Sequence, residues 1–402
     1  MTLYRSVIAG TGSYLPERRL TNADLEELVV TSDEWIVTRT GISERRIAAE
    51  EEATSDMAFA AASAALASSG LSAADLDLIV VATETPDYPF PPVATQLQAR
   101  LGCGPIAAFD VHLVCTGFVA ALHTADALLR SGAYRHALVV GADKLSPFTD
   151  YSDRTTCILF SDGAGAVVLR REEASGARGR GLWHAALHSD GRQTEAAILP
   201  GGGSRHPVPG AAGRRLPPQA PAGGAEPPEP ARPGDAGAEA GLRGHDAAGA
   251  GSGRSADVGR MEAMVRASGD TGQAGSPEPD DTAERTKPFI IMDGRRVFRL
   301  AVPAMSASVE STLQVCGLPL EQLDWLIPHQ ANQRILDAVA RQIGMPEERV
   351  ISTIRWYGNN SAATIPIALD TAVKDGRIRP GHRVMLTAFG GGAAWGSALL
   401  EM

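Results

Sequence analysis

Three polar side chains and one run of glycines stand where this sequence could do chemistry. Cys115 closes the segment Phe109-Asp110-Val111-His112-Leu113-Val114-Cys115, a strand pattern that gives way to a helical one at Thr116. A thiol at a strand-to-helix turn meets the positive end of the helix dipole and free backbone N–H groups. Both favour the thiolate, the nucleophilic form. A free Cys is otherwise a small buried hydrophobe, and Cys103, Cys157 and Cys316 keep that reading. His329 directly follows the apolar strand Trp325-Leu326-Ile327-Pro328, a usual place for functional groups in α/β folds. Pro328 removes a backbone donor and fixes the exit from the strand. His112 alternates to the face opposite Val111 and is read as a packing residue. Asn359, in Gly358-Asn359-Asn360-Ser361, suits either helix capping or a ligand contact. Gly390, Gly391 and Gly392 follow the strand Val384-Met385-Leu386. They let backbone N–H groups come close to a ligand, or they form a flexible turn.

The elements that must position these groups alternate between helix and strand. An Ala-rich helix opens at Ser55-Asp56 and ends at Gly70, and the strand Leu78-Ile79-Val80-Val81 comes next. A helix begun near Cys115 runs on to Arg130, followed by the strand Ala137-Leu138-Val139-Val140. This alternation predicts an α/β protein with largely buried sheets. Gly70-Leu71 through Leu76-Asp77 runs in step with Gly317-Leu318 through Leu323-Asp324, 247 positions later. Arg130-Ser131-Gly132 matches Lys374-Asp375-Gly376 at 244. Two matches at nearly one offset suggest a duplicated unit. The offset of 244 pairs Cys115 with Asn359, each at a helix start and facing the other across a pseudo-twofold axis.

Composition excludes several classes. The 402 residues carry a net charge of -10, which argues against a nucleic-acid partner. The chain is 44% hydrophobic and only 5% aromatic, so its core must be aliphatic and Ala/Gly-packed. Four cysteines without CxxC spacing support neither a zinc ribbon nor a disulfide scaffold, and they fit a reducing cytoplasm. No apolar run approaches the ~18 residues of a membrane span. Gly10-Thr11-Gly12 lacks the third glycine of a dinucleotide fingerprint, and there is no GxxxxGK[ST]. From 208 to 286 the chain is Gly-, Ala- and Pro-rich without an aromatic. It reads as a disordered insertion, or as a docking element if 255–267 forms a helix.

These words together resemble the β-ketoacyl-acyl carrier protein synthase III family. The resemblance rests on Gly10 to Pro16, Thr31-Ser32-Asp33-Glu34-Trp35-Ile36 through Gly41-Ile42, Pro328-His329-Gln330-Ala331-Asn332, and Gly358-Asn359-Asn360-Ser361-Ala362-Ala363. It spans nearly the whole chain outside 208–286. It implies a thiolase-like fold of two pseudo-repeated α/β halves in five layers, αβαβα. The halves would be 1–175, with the nucleophile, and 176–207 plus 287–402, with His and Asn.

The resemblance implies roles as well. Cys115 would accept an acyl group from acyl-CoA, its N–H and one from Gly390–Gly392 forming the oxyanion hole. His329 and Asn359 would hydrogen-bond the malonyl thioester delivered by acyl carrier protein, with a His329 N–H aimed at its oxygen. Trp35, Arg39 and Arg154 resemble residues that hold the CoA adenine and diphosphate. Gly294, Phe298 and Asn332 resemble those lining the pantetheine arm. Arg334 and Arg299 resemble the basic patch that receives the acidic carrier protein. Phe90 resembles a residue reaching into a partner subunit's acyl pocket, which implies a homodimer, and Phe389 one guarding the decarboxylation site. No metal or other cofactor is implied. One departure is the bulk of His112-Leu113-Val114, where the family has small residues, which bears on acyl preference. It also leaves room for a related enzyme priming a polyketide or other secondary pathway.

Overall fold

The computed structural model describes residues 3–174, 176, 178–204 and 288–402. The stretch 208–286, with the candidate helix at 255–267, lies outside the described residues. The site is positioned by strands β1 (Tyr4–Tyr14), β2 (Leu78–Ala82), β3 (Ala107–Val111), β4 (His136–Asp143), β5 (Gly163–Glu173), β6 (Gly181–Ser189), β7 (Trp325–Pro328), β8 (Arg383–Gly390) and β9 (Ala394–Glu401). The helices are α1 (Asp33–Thr40), α2 (Thr54–Ser69), α3 (Val93–Leu101), α4 (Gly117–Arg130), α5 (Gly294–Cys316), α6 (Gln333–Ile343) and α7 (Thr364–Lys374).

The first sheet has the order β1-β5-β4-β2-β3 and the second β7-β8-β9-β6. In the first, β2 runs parallel to β3 and β4, and β5 is antiparallel to β4 and β1. The second repeats this: β7 is parallel to β8, and β9 is antiparallel to β8 and β6. The counterpart of β3 shrinks to one parallel bridge between Leu326 and Val350.

Alternation along the strands builds the layers. Leu78 and Val80 of β2 face the central cluster with Phe118 and Leu122 of α4 and Ile365 and Leu369 of α7. Ile79 and Val81 face outward onto Met57 and Ala61 of α2 and Leu97 of α3. In the second sheet Leu386 and Ala388 point to the central cluster. Met385 and Phe389 point outward to Val309 of α5 and Val339 of α6. The order is therefore α2/α3, sheet, α4/α7, sheet, α5/α6, the five-layer arrangement that the resemblance implied. Every layer except the outer helices is covered on both sides, which is why the strands read as continuous apolar runs. Helices α2 and α5 both stop at a left-handed glycine, Gly70 (φ 71°) and Gly317 (φ 58°).

The repeat has one register, and it corrects the pairing expected for Cys115. Leu78 and Trp325 open β2 and β7, Gly117 and Thr364 open α4 and α7, and His136–Asp143 and Arg383–Gly390 are β4 and β8. Each pair is 247 apart. The 244 offset arises only at the helix ends, because α4 has 14 residues and α7 has 11. The counterpart of Cys115 is Ala362, in matching 3-10 turns Val114–Thr116 and Ser361–Ala363. Asn359 lies three residues before Ala362, so Cys115 and Asn359 are neighbours across the halves without being equivalents.

Small residues let the layers approach closely. A Cβ on Gly12 of β1 would lie 2.3 Å from Ala65 N and 2.4 Å from Ala61 O in α2. That space cannot open without separating helix from sheet. Gly12→Ala is expected to cost roughly 1–3 kcal/mol by overpacking, seen as a lower urea midpoint at unchanged slope. An unchanged midpoint would contradict this packing.

Candidate active site

Two turns carry the chemistry, and both begin helices of the central layer. Val114–Thr116 precedes α4, and Ser361–Ala363 precedes α7. In each, the first residue takes a left-handed backbone: Val114 at φ 46° and Ser361 at φ 48°. That conformation costs a β-branched residue ~1–3 kcal/mol and persists only where the surroundings enforce it. For Val114 they do. The Glu84 carboxylate, just past β2, accepts the Val114 N–H. Thr116 Oγ1 donates to the Ala394 carbonyl at 2.9 Å, tying the turn to the opposite sheet.

Cys115 sits in the middle of the first turn. The end of β8 lies so close that a Cβ on Gly390 would be 2.9 Å from Cys115 N and 3.1 Å from Thr116 N. Of the three glycines expected near the site, Gly390 is the one against the Cys115 N–H. A Cβ on Gly391 would instead meet the Ala197 carbonyl at 3.0 Å, and Gly392 (φ 128°) turns the chain toward β9.

Burial pushes the Cys115 thiol up to about 12, the Ser361 hydroxyl opposes this, and Asp143 and Glu84 add to it. The helix N-terminus expected to favour the thiolate is thus outweighed by desolvation and two carboxylates.

His329 follows β7 and is locked by its backbone, whose N–H donates to the Thr387 carbonyl at 2.8 Å. The ring is 2% exposed, and burial pushes it down to about 3, so it is neutral. Its Nδ1 lies 2.7 Å from Thr364 Oγ1, which is also 3.0 Å from the Ser361 carbonyl. One hydroxyl proton serves one of these acceptors at a time. Given to Nδ1, it leaves the ring proton on Nε2; given to Ser361, it leaves that proton on Nδ1.

Asn359 is clamped by both of its backbone groups, bonded at 3.0 Å to Leu159 O and Ser161 N. Its side-chain oxygen accepts the Ser361 N–H at 2.9 Å, so its NH2 is the half available to a ligand. Of the tandem pair, Asn360 is structural: its NH2 donates to Asp162 O (2.9 Å) and Tyr357 O (3.1 Å). Ser361 links the three, lying beside the Cys115 thiol and bonded to both Asn359 and Thr364. The structure therefore gathers Cys115, His329 and Asn359 around one pair of turns.

The remaining expected residues lie apart from this centre. Trp35 and Arg39 are on α1, whose end packs against α6: a Cβ on Gly41 would touch Gln333 Cβ at 2.5 Å. Arg39 stacks on the Trp35 ring at 4.2 Å and Arg154 at 5.0 Å. Asn332 caps α6 by accepting the Arg334 N–H at 2.9 Å, and Arg334 is exposed. Gly294 opens α5 after its cap Asp293, with Phe298 and Arg299 exposed on the first turns. Met292 joins these to Trp35 through a shared apolar cluster. Phe90 is 83% exposed, and Phe389 packs in the outer cluster beneath α5 and α6.

His112 contradicts its expected packing role. Its side chain is exposed, and Nε2 pairs with the Glu84 carboxylate, which raises its pKa. It lies one residue past the end of β3, where its side chain is left open. Sequence reasoning also missed Glu84, Asp143, Ser361 and Thr364. Asp143 left a signal, a lone acid ending an otherwise apolar strand.

Comparison with known proteins shows the family. A profile described as 3-oxoacyl-[acyl-carrier-protein (ACP)] synthase III matches residues 109–191, which include Cys115. A second, for the C terminal of the same enzyme, matches 313–402, which include His329 and Asn359. The β-ketoacyl-[acyl-carrier-protein] synthase III of Rhodospirillum rubrum is 43% identical over 402 residues, covering 100% of both chains. This chain belongs to the β-ketoacyl-acyl carrier protein synthase III family. The synthase III of Aquifex aeolicus superposes with a TM-score of 0.74 at 35% identity, covering 99% of this chain and 100% of that one. A priming β-ketosynthase of the R1128 polyketide pathway also superposes, at 0.75 but 28% identity, covering 100% and 97%. The fold of the synthase III family is thus shared with polyketide priming, while the higher identities fall on the synthases III.

The site makes a pH prediction. A pKa raised to about 12 keeps Cys115 a thiol at neutral pH, and its thiolate fraction grows tenfold per pH unit. Alkylation of Cys115 in the free protein, followed by peptide mapping, is expected to climb steadily from pH 7 to pH 10. A plateau near pH 7 would show that the helix dipole wins over burial.

Proposed function

We propose that this chain is an acyltransferase that starts fatty-acid synthesis by condensing an acyl-CoA primer with malonyl-acyl carrier protein. The observation that carries this is the meeting of Cys115, His329 and Asn359 at two helix starts, within a family of that name. Cys115 attacks the acyl-CoA carbonyl and CoA leaves as a thiol, so a thioester replaces a thioester. The tetrahedral oxygen is received by the Cys115 N–H, which Gly390 leaves accessible by having no side chain. The malonyl thioester then occupies the same site. His329 Nε2–H and the Asn359 NH2 stabilise the enolate formed as carbon dioxide departs. That carbanion attacks the Cys115 thioester, and one proton is taken up to restore the thiol. This step needs the Nε2–H tautomer, the one set when Thr364 Oγ1 donates to Nδ1 across their 2.7 Å contact.

Other features support the substrates. The indole of Trp35 with Arg39 and Arg154 suits an adenine and its phosphates. Asn332 at the start of α6, and Gly294 and Phe298 on the first turns of α5, suit a pantetheine arm. Exposed Arg334 and Arg299 suit an acidic carrier protein. An exposed Phe90 is better explained by burial in a second copy, so the enzyme acts as a homodimer, with Phe389 shaping the decarboxylation site. Among the described residues no helix is long and apolar enough to cross a membrane. With four unpaired cysteines, the working location is the cytoplasm, and the chemistry needs no cofactor beyond its substrates.

Two variants separate the half-reactions. Cys115→Ala is expected to abolish acyl transfer from acyl-CoA. Asn359→Ala is expected to keep acylation within about threefold while slowing malonyl decarboxylation by about 10²-fold, the scale of one lost oxyanion donor. Condensation by the Cys115 variant, or a loss confined to acylation in the Asn359 variant, would overturn these assignments.

A further inference from the structure

The repeat relates Cys115 to Ala362 and Gly390 to Asp143, and the two pairs are built differently. Where Gly390 leaves space beside the Cys115 N–H, Asp143 fills the corresponding place: its Oδ2 accepts the Ala362 N–H at 3.0 Å. Its Oδ1 accepts the Glu84 N–H at 2.8 Å and the hydroxyls of Thr83 (3.2 Å) and Thr85 (3.1 Å). The carboxylate is fully buried, so four donors hold it where a charge is otherwise costly. We propose that Asp143 is a positioning residue for the condensation half-reaction: it occupies the second half's would-be oxyanion hole and fixes the turn that aims Asn359.

The chain of contacts is short. Asp143 holds the Ala362 N–H, the neighbouring Ser361 N–H holds Asn359 Oδ1, and the Asn359 NH2 is thereby directed outward. Through Glu84, whose carboxylate holds Val114, the same residue is joined to the nucleophile's turn. Only a carboxylate suits all four donors, since a carboxamide must turn its own NH2 toward at least one of them.

Burial, reinforced by Glu84, raises Asp143 to about 6 against the hydrogen bonds that favour its charge. The ionisable groups facing it are the Glu84 carboxylate, the Cys115 thiol, and His112 beyond Glu84. Lys144, next in the chain, sends its ammonium away to the carbonyls of Ala49, Glu50 and Glu52. With a folded pKa above the unfolded one, this residue's contribution to stability falls as pH rises from about 4 to about 6. Over the same window the charged form that holds the turn accumulates. Stability is given up for position, as expected of a residue kept for function.

The proposal rests on the half-reactions assigned above, and the experiment measures them separately in the full-length enzyme. Asp143→Asn is expected to slow malonyl decarboxylation by about 10²-fold, the cost of a small misplacement. Cys115 acylation should stay within about threefold. Wild-type decarboxylation should show an acid limb near pH 6, absent in the Asn variant; His329, held near 3, adds none there. Thr83→Val removes one donor to the carboxylate and should move that limb to higher pH without lowering the plateau. Equal loss of both half-reactions with the limb unchanged would reduce Asp143 to a structural role and overturn the proposal. If the wild type shows neither half-reaction, the functional reading fails instead, and the link is read from the Ala362 amide. Its hydrogen-exchange protection should drop as pH falls through about 6. Protection indifferent to Asp143 would overturn the proposal on its own.

Discussion

Two helices of the central layer, α4 and α7, point their N-terminal turns at each other. Each brings free N–H groups and about half a positive charge, and burial between two sheets removes the water that would screen them. Such a meeting is unfavourable unless anions answer it. Asp143 answers one turn by binding Ala362, and Glu84 answers the edge of the other by binding Val114. On the proposed reading, the N–H of Cys115 is left to a substrate oxygen. The site is thus an unfilled member of a pair of matching holes, and its chemistry follows from which hole the protein fills.

The same arrangement explains the resting state of each reactive group. Desolvation and two nearby carboxylates keep the thiol protonated, and desolvation alone keeps the imidazole neutral. Neither is activated before substrates arrive. In the proposed reaction, a thioester carbonyl entering the open hole would accept the Cys115 N–H. Its developing negative charge is placed where the helix dipole is strongest. Catalysis in this account comes from prepared donors rather than from a thiolate standing ready.

Much of this was legible in the sequence, because the site is made of short words at element ends. Strand-to-turn junctions placed Cys115 and His329, and the two Gly-Leu-…-Leu-Asp segments revealed the duplication. What failed was what depends on three dimensions. The offset measured at the ends of α4 and α7 mispaired Cys115 with Asn359, since the helices differ in length while their starts do not. His112 was assigned its face by alternation, which is silent on whether that face is covered. Thr364 and Ser361 matter through single contacts of 2.7 Å and 2.9 Å that no spacing rule predicts. The thiol's behaviour was misjudged because a helix start is visible in sequence, whereas desolvation is not.

The account stands or falls on one thioester passing through one side chain. The full-length protein would be loaded with a panel of acyl-CoAs, its adduct located by peptide mapping, and then chased with malonyl-acyl carrier protein in a single turnover. The predicted result is an acyl group on Cys115 that disappears as β-ketoacyl-carrier protein and carbon dioxide form in equal amounts. An adduct on another residue, or one on Cys115 that hydrolyses without yielding the β-ketoacyl product, would contradict it.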